Sequence, residues 1–147
     1  MTLKELLQVN LVSAMKTNDL DAKHIIRAVM TSAKYAQVDS TVEQTDEDMI
    51  KVIQKEIKLR MDAIEEAQKG NRQDIVEINQ REIKLLEKYL PEQLSEDGIR
   101  ALLAQLLEES GLTSQKELGK LMPLAIQKIS GRAPNALVSK LLREMLQ

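Results

Sequence analysis

Between Asp46 and Gly70, apolar side chains recur at Met49, Ile50, Ile53, Ile57, Met61 and Ile64. Steps of three and four residues place them along one side of a helix. The spacing predicts a helix over 46–69, capped by Thr45 and stopped by Gly70 in the C′ position. A rod of that length has to cover its apolar stripe with other elements, and nearly every other segment also reads as helix. Thr2-x-x-Glu5 is a capping box opening a helix over 3–17. Asp19 or Asp21 caps a second over 21–37, whose apolar side is Ile25, Ile26, Val29, Met30 and Ala33. The stretch VDSTVEQTD between the second and third helices is a polar loop. Asn71 is expected to cap a fourth helix over 72–90, with Ile75, Ile83, Leu86 and Leu90 facing inward.

YLPEQLSEDG interrupts this run. Pro91 stops the fourth helix, and Ser95 followed by Glu96 and Asp97 starts a fifth that ends at Gly111. Ser114-x-x-Glu117 opens a sixth, in which Pro123 should kink or divide the rod before Gly131 ends it. Pro134 suits the first turn of a seventh, with Leu137, Val138, Leu141, Leu142 and Met145 closing a small core. The expected architecture is all-α. Residues 1–90 form an N-terminal four-helix bundle-like domain, 91–94 a hinge, and 95–147 a small three-helix tail domain.

Composition narrows the chemistry. The chain has no cysteine, which removes disulfides, thiolate nucleophiles and Cys-ligated metals. No apolar run approaches the roughly 20 residues of a membrane span, and MTLKELLQVN holds no uninterrupted apolar stretch, so a cytoplasmic location is expected. His24 is the only histidine and falls opposite Ile25, Ile26 and Val29, on the solvated side. No HExxH, GxSxG, GxGxxG or Walker pattern is present. The acidic pairs Glu65–Glu66 and Glu108–Glu109 read as solvated faces. The sequence therefore offers no catalytic residue, no metal site, no cofactor and no identifiable small-molecule substrate.

Charge is the remaining signal. The net charge is −2, yet from Gly111 onward six basic residues face two acidic ones. Lys116, Lys120, Lys128, Arg132, Lys140 and Arg143 form that set, and Asn135 stands at the start of the last helix. Free backbone N–H groups and the positive helix end make this a possible phosphate seat. A secondary basic stripe, Lys23, Arg27 and Lys34, runs beside the apolar side of the second helix. Lys51, Lys55 and Lys58 line the outer side of the third, diluted by Asp62 and Glu65. Arg60 is unusual because it falls inside the apolar arc, where Glu56 one turn earlier can pair with it. Two Tyr, no Phe and no Trp leave no aromatic platform for stacking bases, so any nucleic acid would be held by its backbone or shape.

YLPEQLSEDGIRALL and LTSQKELGKLMPLAIQKISGRAPNALVSKLL together resemble the YqeY family, which is similar to the tail of the B subunit of the tRNA-dependent amidotransferase (GatB). AMKTND, Ile26–Arg27 and Arg60 extend the resemblance over nearly the whole chain. Glu117, Pro123 and the turn Gly131-Arg132-Ala133-Pro134-Asn135 depart from the family pattern. The resemblance implies a larger helical domain followed by a small one. It implies a tail that helps hold tRNA by its folded outer corner, while amidation occurs in other domains. From it we expect a non-catalytic module binding tRNA or structured RNA. The alternatives are an adaptor for an amidotransferase or tRNA-handling protein, or an accessory part of a glutamine-dependent carbon–nitrogen ligase.

Overall fold

The structure, a computed structural model, describes residues 1–37 and 41–147. Among these residues there are seven α-helices and no strand: α1 (Leu3–Thr17), α2 (Leu20–Ala36), α3 (Asp46–Lys69), α4 (Gln73–Glu87), α5 (Glu96–Ser110), α6 (Leu118–Ile129) and α7 (Asn135–Met145). A single 3₁₀ turn, Gln115–Glu117, precedes α6. The chain is all-α. Part of the expected polar loop, residues 38–40, lies outside the described residues.

Local chemistry explains most helix boundaries. The Thr2 hydroxyl accepts from the Glu5 amide, and the Thr2 amide donates to the Glu5 carboxylate, each at 3.1 Å. Thr45 and Asp48 make the same reciprocal pair at the start of α3. Asp19 and Ser95 cap α2 and α5 by accepting from Ala22 and Gly98. α1 ends at Asn18 with φ 56°, and α5 at Gly111 with φ 72°, a left-handed geometry that Gly adopts without penalty.

The expectations fail at several ends. Asn71 does not cap α4. It is itself left-handed, with φ 57°, while Gly70 keeps a negative φ, and the Arg72 amide reaches back to the Ala67 carbonyl at 2.8 Å. Asn thus takes the reversing position that Gly was expected to hold, because its short polar side chain tolerates that region. α4 stops at Glu87 rather than continuing to Leu90. The residue before a proline is driven out of the α region, and Tyr89 and Leu90 close the end with i→i−3 bonds. α6 runs unbroken across Pro123. Ser130 with φ 54° ends it, one residue before Gly131. Pro134 lies just ahead of α7 in an extended conformation, and Asn135 is the first helical residue.

The chain divides into two compact units, Met1–Leu90 and Pro91–Gln147. In the first, α3 and α4 pair as a helical hairpin, and Leu7, Ile25, Ile26, Val29, Met49, Ile53, Ile57 and Leu86 make the core. Met61, expected in that core, is 50% exposed. It lies twelve residues after Met49, about 120° round the helix, so the straight stripe has drifted off the buried side. In the second unit, α5, α6 and α7 pack on one another around Ile99, Leu103, Leu121, Ala125, Ile129, Val138, Leu141 and Leu142. Residues 91–94, expected as a hinge, bond to the α6–α7 turn. The Leu94 amide donates to the Arg132 carbonyl at 2.8 Å, and the Gln93 side chain to the Gly131 carbonyl at 3.1 Å.

Candidate functional site

In the second unit the structure sorts the basic residues by what they already hold. Lys128 is three-quarters covered, and its ammonium lies 3.2 Å from the Glu109 carboxylate on α5. Arg132 folds its guanidinium back over the end of α6. Its Nε donates to the Ile129 carbonyl and its Nη2 to the Lys128 carbonyl, each at 2.9 Å. The guanidinium thus bonds two carbonyls at the end of α6, of which Ile129 also accepts from the Arg132 amide at 3.2 Å, and its charge suits the negative helix end. Both residues therefore have structural work that their position in the sequence does not reveal.

Lys116, Lys120, Lys140 and Arg143 differ. All four are exposed and make no ion pair among the described residues. Gln115 draws two of them together. Its side-chain amide donates to the Arg143 carbonyl at 2.7 Å and the Leu146 carbonyl at 3.3 Å. The backbone amides of Gln115 and Gln147 donate to the carbonyls of Gln147 and Thr113 at 3.1 and 2.9 Å. The 3₁₀ turn is thereby stitched to the end of α7, leaving Lys116 and Arg143 on either side of the seam and Lys140 one turn earlier on α7. The neighbouring Glu144 is occupied by Arg100, which also reaches Glu96; these two bonds raise the Arg100 pKa. Asn135 is exposed at the first position of α7, and no side chain caps that end.

The first unit holds a polar cluster that sequence reading caught only in part. Glu56 is buried in the apolar arc of α3. Arg60 donates to its carboxylate at 2.7 Å, as the one-turn spacing suggests, and to its carbonyl at 3.0 Å. The other edge of Arg60 meets Glu82 of α4 at 3.2 Å, and the Ser32 hydroxyl of α2 donates to Glu56. One arginine thus lies between two carboxylates, all three side chains no more than 15% exposed. His24 is exposed, as expected, with its Nε2 3.8 Å from Glu82. Of the secondary stripe, Arg27 and Lys34 open onto a cleft beside α1 that Lys4 also lines, while Lys23 borders a shallower hollow with Leu20, His24 and Arg27.

Glu65, Glu66, Glu108 and Glu109 are exposed; Glu66 pairs with Lys69 and Glu109 with Lys128. Among the described residues no three His, Cys, Asp or Glu side chains gather as a metal site, and no helix is long and apolar enough to cross a membrane.

An all-α chain of two helical units, the second presenting exposed cations, is the class these features define. A family model described as Yqey-like protein matches residues 4–146, and the chain belongs to that family. It is similar to the "Altered inheritance of mitochondria protein 41, mitochondrial" of Pyrenophora tritici-repentis. The two are 32% identical over 144 residues, covering 95% of this chain and 78% of that one. The protein of the same name in Kluyveromyces lactis is 36% identical over 107 residues, covering 70% and 57%. An uncharacterized protein of Schizosaccharomyces pombe is 31% identical over 93 residues, covering 63% and 76%. The mitochondrial names of two of these relatives do not fit a plain cytoplasmic expectation.

Proposed function

We propose that the chain is a non-catalytic helical module that binds tRNA or another folded RNA through phosphate contacts made by its second unit. The observation that carries this reading is the set Lys116, Lys120, Lys140 and Arg143, exposed and unpaired among the described residues on a unit whose other cations are engaged. Four unneutralised cations suit a polyanion, and contact with phosphate releases the counterions condensed on it. The scarcity of aromatic side chains favours backbone over base recognition. The exposed first turn of α7 at Asn135 adds backbone donors to the same unit. Lys128 and Arg132 are withdrawn from the contact set, because each holds the unit together. Under this reading the protein works wherever tRNA is handled, in the cytoplasm or in an organelle.

The test is tRNA affinity measured as a function of salt. Lys116→Glu combined with Arg143→Glu should weaken binding and flatten the log–log salt dependence by roughly two contacts. Arg132→Ala should instead lower thermal stability and leave the salt slope alone. Affinity and slope unchanged in the double variant would remove the proposal. Capture of an amidotransferase or another tRNA-handling protein with no RNA bound would make the chain an adaptor instead.

A further inference from the structure

A cleft of about 410 Å³ opens on the first unit between α1, α2 and the start of α3. Its chemistry is two-sided. Leu11, Met30 and Met49 form an apolar floor, while Lys4, Arg27 and Lys34 stand around it. Among the described residues no carboxylate lines it. None of the three cations makes an ion pair among the described residues. The bias is local: Met1–Leu90 holds sixteen acidic residues against fourteen basic ones, yet among the described residues the cleft gathers three basic and none acidic. Gln44 closes one side by donating from its side chain to the Ala33 carbonyl at 2.8 Å, so the wall is tied to α2.

We propose that this cleft binds a small amphipathic anion, its carboxylate or phosphate head held by Lys4, Arg27 and Lys34 and its apolar body lying on Leu11, Met30 and Met49. Three like charges around one opening repel each other, and an anion among them converts that repulsion into attraction. The attraction is stronger beside an apolar floor than in open water. The volume falls within the roughly 300–1,000 Å³ of small-molecule sites, and an apolar lining with a few convergent polar groups is their usual chemistry. A nucleic-acid backbone fits less well, because it would leave Leu11, Met30 and Met49 facing water.

Calorimetric titration of the full chain with octanoate and with octyl phosphate tests this, with octyl glucoside as the uncharged comparison. Saturable one-site binding of at least one anion is expected, and none of the glucoside. The stronger of the two anions identifies the head group. Arg27→Glu with Lys34→Glu, both exposed positions, should weaken binding at least tenfold with the helical melting curve unchanged. Thr31→Trp keeps every charge and fills the cleft from an exposed helix position; it should weaken binding as much. Absence of saturation by both anions would overturn the proposal, as would equal binding of octyl glucoside or either variant binding like the parent. Loss of tRNA affinity in the Arg27–Lys34 variant with no anion binding would assign these cations to RNA, and also overturns it.

Discussion

Arg60 shows how a single side chain can specify how three helices meet. Its guanidinium joins Glu56 on its own helix to Glu82 on α4, and Glu56 in turn accepts from Ser32 on α2. Taking three charges out of water is costly, and their mutual attraction offsets that cost only while every partner is present. Arg60→Ala leaves the buried Glu56 and the partly covered Glu82 without their shared guanidinium and should destabilise the first unit by about 3–5 kcal/mol, read from urea unfolding. Arg60→Lys should recover only part of that loss, because an ammonium cannot span both carboxylates as the planar fork does. A loss below about 1 kcal/mol for Arg60→Ala would show that water already screens the pair. The Glu56 contact was legible in the sequence as an i,i+4 spacing. Glu82 was not, since it lies 22 residues further on along another helix.

Helix starts were more legible than helix ends. Thr2, Asp19, Thr45 and Ser95 were all readable as caps because each bond closes within three residues of the chain. Ends depend on which residue turns left-handed and on what packs beyond it, so Asn71 and Ser130 took positions that reading gave to Gly70 and Gly131. The same limit applies to the candidate site. Its basic residues were visible as a set, but the engagement of Lys128 by Glu109 and of Arg132 by α6 arises only when helices meet. The α3 cap makes a testable case. Asp48 is held below its ordinary carboxylate pKa, first by the Thr45 amide and then by the Thr45 hydroxyl. A lowered pKa in the folded state favours folding above the ordinary value, and that contribution is lost as pH falls through the lowered one. Asp48→Asn should therefore be less stable than the parent at neutral pH. The difference should shrink on acidification below the usual carboxylate range, measured by thermal melts across pH. A gap between the two proteins that stays constant with pH would mean that the carboxylate charge plays no part in the cap.

Two cores rather than one organise the molecule, and each is assembled from helices of a single unit. Charge is divided along the same line. The first unit buries an ionic cluster and rings a cleft with cations, while the second engages Arg100, Lys128 and Arg132 with its own helices and leaves four others exposed. A small unit has little stability in reserve, since folded proteins retain only about 0.05–0.15 kcal/mol per residue. Removing three carbons from a fully buried leucine costs about 2–5 kcal/mol, the lost transfer energy plus the cavity left behind. For Pro91–Gln147 that is a large share of the whole. Leu141→Ala should therefore collapse amide-exchange protection across α5, α6 and α7 while α1–α4 keep theirs. Ile53→Ala should weaken protection in α1–α4 first. If either variant lost protection evenly along the chain, the two cores would have to unfold as one cooperative body.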